Sequence, residues 1–222
     1  MPGKEDKPLL TAEKLREEAS RFAERESSHR EPALFGVTDG KAVGTYLEHK
    51  FQAHLRESYS FPAGNSARGV DLPELAVDIK VTSIKQPQSS SPFKSARQKV
   101  YGLGYSLLVF VYEKRDDSPS RTAVLNILHA IFVESHRTGD FQTTTGILKL
   151  LENKANVDDL LAYFEERMLP LDDVTGRELA EDILKSPPAL GYLTISNALQ
   201  WRLQYGRVIA EAGVVSGIIR IR

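Results

Sequence analysis

The chain has no cysteine among its 222 residues. That excludes disulfides, thiolate nucleophiles and cysteine metal sites, and it fits an intracellular protein. No apolar run approaches the ~18 residues of a membrane helix, and the amino-terminal stretch is charged. Neither a membrane span nor a signal peptide is therefore expected. There is no Gly-x-Gly-x-x-Gly and no phosphate-binding Gly-Lys-Ser/Thr loop, so the common nucleotide cradles are excluded. The histidines, at 29, 49, 54, 129 and 136, are scattered. None has the spacing of a metal site or of a histidine-centred nuclease motif, and His129 reads as a satisfied core or edge residue. The net charge of −1 argues against general coating of nucleic acid.

What is present is a hydrophobic content of 41%, enough for a sizeable core. The length fits one domain with an elaborated periphery better than two full domains. Charge is unevenly spread. Residues 41–101 hold nine Lys/Arg against five Asp/Glu, a local +4, and the rest of the chain carries −5. A basic site on a mildly acidic body suits an enzyme that grips phosphates locally.

The stretch Gly69 to Val81 organises the reading. Val70 and Asp71 end one short strand, and Leu72 to Leu75 form a turn, because Pro73 cannot donate to a ladder. Ala76 to Thr82 then alternates, with Val77, Ile79 and Val81 on one face and Asp78, Lys80 and Thr82 on the other. Asp71 lies across the turn, so two carboxylates and an ammonium converge. Crowded carboxylates repel unless a cation lies between them. Oxygen ligands of this kind suit Mg2+, which takes only one or two protein carboxylates and keeps several waters.

The flanking elements supply context. Lys41 to Tyr59 reads as a helix with Val43, Leu47, Phe51 and Leu55 buried. Glu48 lies beside that stripe, one turn after Gly44. A glycine inside a helix costs up to about 1 kcal/mol against alanine, so Gly44 has a packing reason if Glu48 lines a site; the alternative is a solvated glutamate and a stray glycine. Phe61 to Arg68 reads as a loop, and Lys85 to Phe93, with Pro87 and Pro92, as a mobile one. Ser95 to Gly104 is helical in pattern, with Ser95 as cap and Arg97, Tyr101 and Tyr105 on one face. Leu107 to Tyr112 is a continuous apolar run, which fits a strand covered on both sides. A polar turn at 116–121 and a strand at 122–134 follow.

Asp71-x6-Asp78-x-Lys80 resembles the motif of the PD-(D/E)xK nuclease superfamily, and more closely that of its restriction endonucleases. Val70 stands where that motif usually has proline. The element order from residue 41 to residue 112 is also similar to the superfamily core. The resemblance implies an α/β fold, with an αβββαβ core whose mixed central sheet is flanked by helices and a helical C-terminal elaboration. It implies a Mg2+-dependent type II restriction endonuclease, with Mn2+ as a substitute, that hydrolyses phosphodiesters of double-stranded DNA at a short specific sequence. Asp71, Asp78 and the carbonyl of Ile79 would hold the metal, Glu48 would complete or orient the site, and Lys80 would position or deprotonate the water. DNA contacts are expected from Arg68, Ser83, Lys85, Lys94, Arg97, Gln98 and Tyr101. The expected assembly is a C2 homodimer in a prokaryotic cytoplasm, with no nucleotide cofactor and no membrane. A repair or recombination nuclease of the same superfamily, and a non-catalytic DNA-binding module keeping the fold, are the alternatives.

The chain is then a single nuclease domain, 1–222. Residues 1–40 are an N-terminal helical extension, with a peripheral or dimer-contacting helix from Thr11 to about Ser28. Residues 41–135 are the catalytic core, and 136–222 are an elaboration for dimer or DNA contacts. In that last part helices are expected at Asn156 to Met168, Thr175 to Lys185 and Ser196 to Tyr205, with an edge strand at Gly217 to Arg222.

Overall fold

The longer helices begin on side chains that accept the otherwise unpaired N–H groups of a first turn. Thr11 accepts from Lys14 N–H, Asp39 from Lys41, Asp140 from Thr143, Asn156 from Asp158 and Asp159, and Asp172 from Thr175. In this computed structural model, residues 7–62, 69–91, 94–196 and 201–222 are described. The chain runs α1 (Ala12–Glu26), β1 (Arg30–Glu31), α2 (Gly40–Ser58), β2 (Val77–Ser83), β3 (Gln88–Ser91), α3 (Arg97–Tyr101), β4 (Ser106–Asp117) and β5 (Thr122–Val133). It continues with α4 (Phe141–Glu152), α5 (Val157–Glu166), α6 (Asp173–Lys185), β6 (Thr194–Ile195), β7 (Trp201–Gln204), α7 (Gly206–Glu211) and β8 (Ile218–Arg220). The architecture is mixed α/β. Among the described residues no helix is long and apolar enough to cross a membrane.

The chain divides into two compact units. The first comprises Met1–Pro87, Leu107–Phe132 and Ala212–Arg222. Its sheet has the order β1-β5-β4-β2, with β8 also paired to β5. Leu107 to Tyr112 are buried on both faces, as a continuous apolar run requires. Phe22 of α1, Phe51 of α2 and Phe110 of β4 meet with ring centroids 5.0–5.9 Å apart. Each such ring contributes roughly 1.5–3 kcal/mol by its burial. The stripe Val43, Leu47, Phe51 and Leu55 is buried as expected. The α1 stripe of Leu15, Ala19 and Phe22 is also fully buried against this core, so α1 is a core helix rather than a peripheral one.

The second unit comprises Gln88–Ser106 and Val133–Glu211. Ala96, Val100, Ile147, Leu160, Phe164, Leu179 and Ile183 form its helical core. Beside the helices it carries a three-stranded antiparallel sheet, β3-β7-β6.

Several expectations change. Val70 and Asp71 end no strand; the first arm of the hairpin is a single bridge between Leu72 and Val77, because Pro73 opens a 3-10 turn, Pro73–Leu75. Ala76 closes that turn at φ 49°, and the chain then enters β2. The mobile loop expected over 85–93 contains β3, whose backbone is satisfied by β7. The helix expected from Ser95 spans only Arg97–Tyr101, since Gly102 leaves it at φ 91°, and the capping position is Ala96, with no side-chain bond. The helix expected at Ser196 to Tyr205 is replaced by strand β7, with residues 197–200 outside the described set. The helices around 157–166 and 173–185 and the terminal strand β8 lie where expected.

Candidate active site

Helix α2 and strand β2 pack side by side in the first unit, and the candidate site lies along their contact. Gly44 faces Val81 across this contact. A Cβ placed there would lie 3.5 Å from the carbonyl oxygen of Val81. With that strand drawn close, the next helical turn carries Glu48 toward it and the turn after carries Gln52, since residues four apart share a helix face.

Asp71 is the hinge of the cluster. Its Oδ2 accepts the N–H of Ile79 at 2.8 Å, which ties the segment before the turn to the middle of β2. Its Oδ1 lies 3.5 Å from Gln52 Nε2. Asp78, buried in β2, receives the Lys80 ammonium on Oδ2 at 2.7 Å. The Asp78–Lys80 spacing of two residues puts both on one strand face, as the alternation predicts.

The electrostatics set this cluster apart. Burial, followed by the charges of Asp71 and Asp78, pushes the Glu48 carboxyl up to about 7, with Lys80 opposing. Burial likewise pushes Asp78 up to about 7, reinforced by its contact with Asp71 and opposed by Lys80. Three carboxyl groups thus share one ammonium in a partly dehydrated volume, and protons hold together what charges would drive apart. Among the described residues no three His, Asp or Glu side chains are already closed around a common point. The donors nevertheless fit a hard divalent cation in kind. They are all oxygen, they lack histidine and cysteine competitors, and their excess negative charge is what such an ion neutralises.

The sequence reading brought Asp71, Asp78, Lys80 and Glu48 together, and the structure places them in mutual reach. It missed Gln52, although the spacing Gly44-x3-Glu48-x3-Gln52 carried the signal. Of the expected DNA-contacting side chains, Arg68 lies outside the described residues. Ser83 Oγ accepts the Lys85 N–H at 3.3 Å, and the Lys85 side chain is exposed. In the second unit Lys94 is exposed, whereas Arg97 pairs with Asp182 at 2.7 Å over the ring of Tyr101. Gln98 Nε2 donates to Leu103 O at 3.0 Å, and the Tyr101 hydroxyl to Ser186 O at 2.8 Å. Arg97, the amide nitrogen of Gln98 and Tyr101 are therefore engaged within their own unit.

Residues 9–220 match the model of the family described as type II restriction enzyme NspV. The chain belongs to the NspV family of type II restriction enzymes. It is 61% identical over 213 residues to the type II restriction enzyme NspV of Nostoc sp. (strain ATCC 29411 / PCC 7524), a match that covers 96% of this chain and 97% of that protein. No solved structure matches the chain. The reading of the sequence as a type II restriction endonuclease, a site-specific deoxyribonuclease, therefore holds.

Proposed function

We propose that the α2–β2 cluster is the catalytic centre of a Mg2+-dependent endonuclease of PD-(D/E)xK type, cutting double-stranded DNA at a short specific sequence. The observation that carries this is the convergence of Asp71, Asp78 and Glu48 on one ammonium, Lys80, at the junction of a helix and a strand. The succession α2, β2, α3, β4 keeps the alternation of helix and strand expected of such a nuclease, but between its two helices it gives the β2–β4 sheet one strand where αβββαβ has three, because β3 pairs with β7 instead.

Asp71, Asp78 and the Ile79 carbonyl would hold the metal. In an extended strand the N–H and C=O of one residue leave toward the same edge. Ile79 gives its N–H to Asp71, so its carbonyl points to the same side. When bound, Mg2+ would supply a water of lowered pKa and stabilise charge on the phosphate oxygens. Asp71 is pre-oriented by the Ile79 N–H and lies against the carboxyl groups of Glu48 and Asp78. Lys80, whose ammonium is held on Asp78 Oδ2 at 2.7 Å, would position that water and favour the dianionic transition state. Glu48 adds negative charge that draws the cation in and fixes how many protons the cluster carries. Attack of water on phosphorus would break the bond to the 3′ oxygen, which would take the proton, leaving 5′-phosphate and 3′-hydroxyl ends. A C2 homodimer on a palindromic site follows from matching protein symmetry to site symmetry.

The test is plasmid DNA incubated with Mg2+ or Mn2+. The wild type is expected to give discrete fragments, and EDTA to abolish them. Asp78→Ala is expected to lose cleavage while still retarding DNA in a gel, because phosphate contacts come mainly from elsewhere. Undiminished Mg2+-dependent cleavage by Asp78→Ala would refute the assignment.

A further inference from the structure

The small sheet of the second unit has two unlike faces. Trp201, Leu203 and Ile195 are buried on one side. On the other side the register aligns two rows across three strands. Gln88, Gln204 and Thr194 stand opposite one another in the first row. Ser90 and Arg202 stand opposite in the second, and Ser196 joins them through its N–H on Arg202 O and its hydroxyl under the Arg202 N–H. Directly opposite residues share a face in an antiparallel sheet, so these six form one polar plane. Arg202, Gln204 and Ser90 are its exposed members.

The strands of this plane carry no acid of their own, and the carboxylate that meets them, Asp140, is buried and accepts the Ile195 N–H at 2.8 Å. The chain has 30 Asp and Glu, yet none falls in residues 79–112 and none in 183–210. Strand β3 comes from the first acid-free segment, and β6 and β7 from the second. The fold thus pairs strands from the two long acid-free stretches of the sequence. Among the described residues no acid pairs with the Arg202 guanidinium. The buried face is anchored as well. Lys99, itself buried, donates to Ile195 O at 3.0 Å, and the Ser89 and Tyr205 hydroxyls bond each other. A rigid sheet therefore presents flexible amide, hydroxyl and guanidinium groups outward.

We propose that this face is the sequence-reading surface of the enzyme, with duplex DNA as its occupant and Arg202 and Gln204 as specificity-determining residues. The proposal rests on the endonuclease reading above. The DNA major groove admits a β-ribbon, and its base edges match these side chains. Arginine reads O6 and N7 of guanine with two parallel bonds, and glutamine reads N6 and N7 of adenine in the same way. Arg202 and Gln204, two residues apart on one strand face, address neighbouring base pairs, and Gln88 and Ser90 flank them on β3.

The wild-type site is first mapped from the ends of its plasmid fragments. Short duplexes carrying that site, and the set with each base pair replaced singly, are then cut in Mg2+ by wild type, Arg202→Lys and Gln204→Ala. Arg202→Lys keeps the charge and loses the fork. It is expected to lose tenfold or more in kcat/KM on the site duplex. Its discrimination is expected to collapse at one G·C pair while surviving at the others, as a base contact worth about 1–3 kcal/mol requires. Gln204→Ala is expected to do the same at an A·T pair. Wild-type discrimination at every position in both variants would overturn the proposal, and so would a proportional loss on all duplexes, the mark of a phosphate or structural role. Failure of the wild type to give discrete fragments would instead strike the endonuclease reading itself.

Discussion

Helix α2 borders two acidic neighbourhoods, and they are built on opposite principles. On its α1 side every buried carboxylate is matched. Glu18 receives His54 Nε2 at 2.9 Å, Arg21 Nη1 at 2.7 Å and the Tyr59 hydroxyl at 3.2 Å. Glu26 receives Lys50 Nζ at 2.9 Å, which also reaches the Tyr46 hydroxyl at 3.0 Å. On its β2 side three carboxyl groups share one lysine, and two of them are pushed toward neutrality. The first arrangement binds two helices together. The second is short of positive charge as it stands, which is the condition under which adding a cation yields free energy. Perturbed acids of this kind concentrate where chemistry is done, whereas matched networks serve structure.

The largest expected effect separates these roles by activity. Asp78→Asn keeps shape and removes one charge from the crowded side. Loss of a cation ligand worth several kcal/mol is expected to lower cleavage about 10³-fold. The metal-free protein is expected to melt no lower than wild type, because a source of repulsion has gone. A large drop in melting temperature with retained cleavage would exchange the roles assigned to the two sides.

Lys50→Ala probes the matched side. It leaves Glu26, only 2% exposed in its side chain, without its cation. Stranding a buried charge typically costs 3–5 kcal/mol. Because Lys50 keeps part of its surface in water, about 3 kcal/mol is expected here, measured by denaturant unfolding. The specific activity of the folded fraction is expected to hold.

Glu48→Gln is intermediate. With one negative charge fewer, the half-saturating Mg2+ concentration is expected to rise and kcat to fall, roughly tenfold together, or about 1.4 kcal/mol. The same cluster gives the metal-free protein a pH signature. An acid whose pKa is higher folded than unfolded binds more protons when folded. For Glu48 and Asp78 that stabilisation is full below about 4 and is lost as pH rises through about 7. Melting temperatures in EDTA are therefore expected to fall between pH 5 and 8 by less in Glu48→Gln than in wild type, and added Mg2+ at pH 8 to restore stability in the wild type. Identical EDTA profiles for the two proteins would mean that Glu48 does not titrate in that range.

Much of this cluster was legible before any coordinates, for physical reasons. Val43, Leu47, Phe51 and Leu55 repeat with a helical period, and Asp78 and Lys80 alternate with apolar neighbours, so local geometry alone put them on known faces. Strand β3 was hidden because Gln-Ser-Ser-Ser has no apolar alternation and its partner lies more than a hundred residues onward. Strand β7 was misread although Trp201, Leu203 and Tyr205 alternate with Arg202 and Gln204; the segment is too short for period alone to exclude a helix. Helix α4 carries three consecutive threonines, poor helix formers, at positions 143–145 near its start. It is secured by Asp140, whose Oδ2 accepts both the N–H and the hydroxyl of Thr143, and by Thr144 donating back to Asp140 O. Those are tertiary and capping effects that no hydrophobic period reveals.

The smallest effect bears on how tightly the β2 side is drawn. Gly44 faces β2, and an added Cβ would meet Val81 O at 3.5 Å and Val81 Cβ at 3.9 Å, ordinary van der Waals distances. Its conformation is helical, so alanine is not strained there. Gly44→Ala is therefore expected to stabilise the protein by up to about 1 kcal/mol through helix propensity, read as a rise in the denaturant midpoint at unchanged slope. Cleavage is expected to change less than threefold, because Glu48 keeps its place one turn on. A bulkier Gly44→Val should push Val81 away and carry Asp78 and Lys80 with it, since they share that strand. If Gly44→Val cuts DNA like the wild type, the close contact of α2 and β2 does not set the geometry of the site, and Glu48 is scaffold. If Gly44→Ala itself loses activity while gaining stability, the site depends on helix–strand spacing to within a few tenths of an ångström.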